Sequence, residues 1–134
     1  MNNYTLVRPE HLNHHGFLFG GVMLKWVDEF AWLAASKEYR GCKLVTVAMN
    51  EIRFSHQVVN GSILRFNIKF SSQGRSSVTY SVTVYSDEPG ADQEKIVFEN
   101  KITFVRVDAQ GIKCDLPPRE EARPWSDEQP VDGI

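Results

Sequence analysis

At 134 residues, with 42% apolar and 24% charged side chains, the chain has the size and composition of one globular domain with a proper core. A net charge of −2 without a basic run argues against nucleic-acid binding, and no stretch approaches the roughly 18 apolar residues of a membrane span. Cys42 and Cys114 stand alone, without metal-type spacing, so neither a zinc site nor a disulfide framework is indicated. With no apolar leader in MNNYTLVRPEHL, a reduced, cytoplasmic setting is expected.

Residues 1–12 read as an extended lead-in, because Pro9 discourages a helix. His11, His14 and His15 follow in an H-x-x-H-H spacing that matches no strong zinc pattern and reads as polar loop; no metal is expected. A long helix then begins near Gly20. Phe19, Val22, Met23, Trp26, Val27, Phe30, Leu33 and Ala34 recur at spacings of three, four and seven, the period of a helix burying one face.

The opposite face of that helix carries a second stripe of Gly21, Leu24, Asp28, Ala31 and Ala35, leaving only Lys25, Glu29 and Ser36 as a solvated wedge. A helix apolar over most of its circumference is covered on most sides. A sheet on one side and a close neighbour, such as a second copy of the chain, on the other would do so. Asp28 lies in the second stripe, and a carboxylate among Gly, Leu and Ala is costly unless partnered. The pattern fades at Lys37–Tyr39, and Gly41 is placed to end the helix.

After Gly41 the period becomes alternating. Residues 44–49 and 52–58 read as one long strand, straight or bent, or as two in succession. Asn60-Gly61 is a two-residue hairpin signal. Leu64, Phe66, Ile68 and Phe70 alternate with polar residues; Gln73-Gly74 marks a turn; Val78, Tyr80, Val82 and Val84 alternate again. A polar loop leads to a last strand from about Lys95 to Val107. The fold class is therefore α+β, one long helix on a face of an antiparallel sheet of about five strands joined mainly by hairpins. One domain is assigned to residues 1–114. Residues 115–134 hold four of the six prolines and read as a mobile tail or a strand-like arm on the surface.

The run Asn13-x-x-Gly16-x-x-Phe19-Gly20-Gly21, followed by Trp26-x-Asp28, resembles the hot-dog-fold acyl-CoA thioesterases that hydrolyse a broad range of acyl-CoAs. Val45-Thr46-Val47, Phe54, Gly61 and Gly74-Arg75-Ser76-Ser77-Val78 support the resemblance, which spans residues 6–107. It implies a central helix wrapped by a curved sheet. It also implies dimers whose sheets join edge to edge, with active sites at the subunit interface, and in many relatives trimers of such dimers. No cofactor is implied, since CoA is part of the substrate and the product.

Each need of thioester hydrolysis then has a candidate. Gly20 and Gly21 sit at a helix N-terminus, where unpaired N–H groups and a partial positive charge suit a thioester oxygen. Asp28 is the candidate general base or nucleophile. Asn13 is the candidate for orienting water or contacting the thioester. Gly74, Arg75, Ser76 and Ser77 are candidates for the CoA phosphates or pantetheine, and Val45, Thr46 and Val47 for main-chain contacts to the pantetheine. Eight residues separate Gly20 from Asp28, about 12 Å along a helix. Two helices packed antiparallel about a two-fold axis would bring the Gly20 end of one beside Asp28 of the other. Two rival readings are a non-catalytic hot-dog protein that binds acyl-CoA and a hot-dog dehydratase. The FGG-x(6)-D pattern argues against the dehydratase, and a pure binder has no need of such an acid.

Overall fold

A computed structural model describes residues 1–119 of the chain. The elements in order are strand β1 (Asn2–Leu6), a 3-10 turn (Pro9–His11), helix α1 (Gly20–Glu38), and strands β2 (Lys43–Phe54), β3 (Ile63–Gln73), β4 (Ser77–Asp87) and β5 (Lys95–Val107). The strands form one antiparallel sheet in the order β1-β3-β4-β5-β2, and α1 lies across one face of it. Among the described residues no helix is long and apolar enough to cross a membrane.

The core follows from alternation in the central strands. In β4 every second residue from Val78 to Ser86 is buried, and β3 and β5 answer with Leu64, Phe66, Ile68, Phe98, Ile102 and Phe104. Side chains of period two can all meet the helix only from one sheet face. From α1 come Met23, Val27, Ala31, Ala34 and Ala35, and the half-buried Trp26 and Phe30 rings pack on Phe66 at centroid distances of 6.3 and 4.9 Å. The expected division of the helix is corrected here. Ala31 and Ala35, assigned to the outer stripe, are core residues, whereas Leu33, assigned to the core, is exposed. The small alanines let the helix backbone settle close to the sheet, which rotates the buried stripe toward them.

Two local expectations are also revised. Part of the lead-in is a strand, β1, paired with β3 from Asn2↔Asn67 to Leu6↔Ile63. Asn60-Gly61 does form a turn, with Gly61 at φ +84°, but the strands flanking it do not pair: β2 and β3 lie on opposite sides of the β4–β5 pair. The backbone after β2 instead crosses the sheet end, held by Leu18 N–H to the Val58 carbonyl, Val7 N–H to the Ser62 carbonyl and Gly61 N–H to the Val7 carbonyl. Residues 44–54 belong to one strand, and two register shifts, between Thr46 and Ala48 and between Asn50 and Arg53, supply the bend.

The start of the C-terminal segment packs on the surface. Leu116 is buried, its N–H donates to the Arg75 carbonyl, and Gln73 Nε2 donates to the Pro117 carbonyl. Arg119 lies 3.3 Å from the buried Glu38 carboxylate and 3.6 Å over the Phe70 ring. The rest of the expected tail, 120–134, lies outside the described residues.

Candidate active site

The entry to α1 is fixed before the helix begins. Asn13 Oδ1 accepts from the N–H groups of His15 (2.9 Å) and Phe17 (3.2 Å), while the Phe17 carbonyl accepts from Asn13 N–H at 2.7 Å. Gly16 makes the reversal at φ +85°, a conformation that favours glycine. Two N–H donors on one amide oxygen fix which way the Asn13 amide faces. Its NH2 group has no partner among the described residues. The capping role and a ligand-contacting role thus use different atoms of one side chain.

Phe19 then caps α1 in an extended conformation, and no side chain caps the helix in return. Its carbonyl takes both Val22 N–H (3.1 Å) and Met23 N–H (3.2 Å). Among the described residues the amides of Gly20 and Gly21 have no acceptor, at the positive end of the helix macrodipole. A side chain at Gly21 would meet nothing within 4 Å, and the residue is exposed. Gly20 is different. A Cβ there would lie 3.0 Å from Cζ of Phe54, the last residue of β2.

Asp28 is half-buried two turns along, and its Oδ1 accepts from the Thr46 hydroxyl at 2.6 Å. The pairing of β2 with β5 explains how Thr46 gets there. Thr46, Met49 and Phe54 of β2 pair with Phe104, Ile102 and Phe98, all buried toward α1, so these three share the helix-facing side. Trp32 Nε1 donates to the Leu44 carbonyl at 3.1 Å. Helix and strand therefore run antiparallel to each other, with Trp32 beside Leu44, Asp28 beside Thr46 and Gly20 beside Phe54. Beyond the main-chain contact to a ligand expected of Thr46, its hydroxyl is the partner of Asp28. A lone Thr within the apolar run LVTVAM is the available signal in the sequence, but its partner becomes visible only once β2 is laid beside α1.

The side of β2 away from β5 has no strand partner among the described residues. Along this edge strand Val45, Val47, Ile52 and Phe54, from one face or the other, are exposed large apolar residues, as are Phe19 before the helix and Trp32 and Leu33 on it. An edge strand with such a patch is a surface built to be covered.

The remaining candidates lie elsewhere. Gly74, Arg75, Ser76 and Ser77 form the β3–β4 hairpin. It sits near the C-terminal end of α1, where the Tyr39 hydroxyl donates to Gln73 Oε1 at 2.6 Å, so one chain does not bring it to Gly20 and Gly21. Burial pushes the Tyr39 phenol up to about 12, with Arg119 opposing, and pushes the Tyr80 phenol up as well. His11 Nδ1 accepts from Arg8 N–H at 3.0 Å and its ring stands edge-on to Trp26, while His14 and His15 stack on each other. A polar cavity of about 930 Å³ lies between β2, β4 and β5, lined by residues that include Glu51, Arg53, Glu99 and Lys101 and by none of the candidates.

Against known proteins, residues 15–92 match the family model of the Thioesterase superfamily. The chain is 34% identical over 121 residues to acyl-coenzyme A thioesterase 11 of Mus musculus, a match covering 88% of this chain and 20% of that protein. The chain thus spans about a fifth of the length of that relative. A hexameric thioesterase from Yersinia pestis superposes with a TM-score of 0.79 at 27% identity, over 86% of this chain and 93% of the other. An acyl-CoA hydrolase from Staphylococcus aureus, solved with butyryl-coenzyme A, coenzyme A and coenzyme A disulfide, gives 0.79 at 27% identity, over 87% of this chain and 71% of the other.

Proposed function

The chain belongs to the thioesterase superfamily and has its hot-dog fold, and on that premise we propose that it is an acyl-CoA thioesterase, converting acyl-CoA and water to a carboxylic acid and CoA. One observation carries the reading: a carboxylate held by a threonine hydroxyl and two unpaired helix-end amides lie along the same uncovered edge of the fold.

The Gly20 and Gly21 N–H groups donate to the thioester oxygen as negative charge gathers on it, the task of an oxyanion hole. Asp28 drives the attack by one of two routes. In the first it takes a proton from the attacking water and passes it to the sulfur as the C–S bond breaks. In the second it adds to the carbonyl itself, expelling CoA thiolate, which takes a proton from water. The resulting mixed anhydride is then cleaved by a second water to free the acid and restore Asp28. Thr46 holds the Asp28 carboxylate in one orientation, and the NH2 group of Asn13 faces the reacting carbonyl or its water. No metal or separate cofactor takes part.

About 12 Å of helix between Gly20 and Asp28 is too far for one thioester carbonyl to reach both. The site is shared: Asn13, Gly20 and Gly21 come from one copy, Asp28 and Thr46 from its two-fold mate, and the uncovered β2 edges meet between them. Three such dimers make the full assembly, a reading supported by the hexameric state of the Yersinia pestis thioesterase. Val45, Thr46 and Val47 line the pantetheine arm, and the Gly74–Ser77 hairpin, with the exposed Arg75, takes the CoA phosphates from a neighbouring copy.

The test is release of free thiol from acyl-CoAs of graded length. The wild-type chain turns them over. Asp28→Asn loses at least about a thousandfold in kcat/KM, of order 4 kcal/mol of transition-state stabilisation, while still binding CoA. Normal turnover by Asp28→Asn would remove Asp28 from the mechanism; binding without turnover in the wild type would favour a pure acyl-CoA-binding protein.

A further inference from the structure

We infer that Phe54 is the wall that sets how long an acyl chain the site accepts, an inference that rests on the acyl-CoA reading above. The ring has two faces with different duties. One packs on the fully buried Phe98 at a centroid distance of 5.3 Å, which anchors it to the core. Its tip presses on Gly20, where an added Cβ would come within 3.0 Å of Cζ and 3.4 Å of Cε2. The residue is nevertheless 50% exposed.

The seam between α1 and β2 is bridged by the Trp32–Leu44 and Asp28–Thr46 hydrogen bonds, and Phe54 closes it at the Gly20 end. A carbonyl held on the Gly20 and Gly21 amides lies directly beside that ring. A chain running from there into the seam meets the ring at once. The surroundings fit hydrocarbon: Phe19, next to Gly20 in sequence, and Ile52, two residues before Phe54, are 52% and 45% exposed. Pantetheine amides or phosphates would find no polar partner on this ring. Gly20 is a glycine for two reasons at once, free approach to its amide and room for Phe54.

Each methylene newly taken out of water is worth about fourfold in binding. Shortening Phe54 therefore raises the preference for long chains. The readout is the ratio of kcat/KM for decanoyl-CoA to that for butyryl-CoA, by thiol release. Phe54→Ala raises the ratio at least about tenfold, and Phe54→Leu, which keeps the contact with Phe98 apolar should the alanine variant fail to fold, raises it by less. A ratio within threefold of wild type in variants that still release thiol overturns the wall and leaves the hydrolase standing. A KM raised by one common factor for both substrates also overturns it, since the ring would then touch the CoA arm. Absence of thiol release from any acyl-CoA by the wild-type chain defeats the hydrolase reading, and the wall with it.

Discussion

The two long sides of α1 face opposite situations. Toward β3, β4 and β5 the helix is complete within one chain: Met23, Val27 and the alanines are buried against alternating strands, with Trp26 and Phe30 seated on Phe66. Toward β2 it is unfinished: Asp28 has one hydroxyl partner, the Gly20 and Gly21 amides have none among the described residues, and Trp32, Leu33, Val47 and Ile52 are left exposed. Burial is concentrated on the first side, and the proposed chemistry falls on the second. Substitutions on the two sides should therefore fail differently.

The largest separation comes from Phe66→Ala, which empties a fully buried site under two aromatic rings and costs about 3–5 kcal/mol of unfolding free energy. Measured by chemical denaturation, that loss sets it apart from Asp28→Asn, which leaves the midpoint almost unmoved while abolishing turnover. A similar midpoint shift in both variants would erase the distinction. Thr46→Val, close in shape, removes the donor to Asp28 and lowers kcat by about 10- to 100-fold, the worth of a hydrogen bond to a charged group, with the fold intact. Unchanged kcat would mean that Asp28 needs no orienting partner.

The smallest effect belongs to the far end of the helix. Tyr39→Phe removes the bond to Gln73 and costs about 1 kcal/mol with no change in kcat. Because burial raises the folded-state Tyr39 from 10.0 to about 12, its contribution is complete below about pH 10 and is lost as the pH climbs toward 12. Unfolding followed between those values should show a shallower alkaline decline in Tyr39→Phe than in the wild type. Equal slopes would show that Tyr39 ionises alike in both states.

Local signals in the sequence carried much of this layout. The Gly20 start, the left-handed Gly41 after the helix and the last strand at Lys95–Val107 were all legible, because glycine placement and two-residue alternation act within a few residues. What escaped depends on distance. Asn60-Gly61 announces a turn but not which strands pair, and β2 crosses to the far side of β5. Ala31 and Ala35 look weak as core residues until the sheet is brought close. The Thr46 hydroxyl reaches Asp28 because Thr46 shares the helix-facing side with Leu44, and only the docking of α1 on β2 brings the two together. Asn13, Gly20, Gly21 and Asp28 are legible as a pattern, but Asp28 lies two turns of α1 away from Gly20, and the proposal of a second copy is what joins them.

Mixing two inactive forms tests the shared site most directly. Combine Asn13→Ala chains with Asp28→Asn chains, dissociate and reassociate them in equal amounts, and measure thiol release. A site built from two copies regenerates one intact centre in each mixed pair, so about a quarter of wild-type activity returns on random assortment. If the mixture stays as inactive as its parents although mixed pairs have formed, Asn13 and Asp28 act within one chain and the account is contradicted.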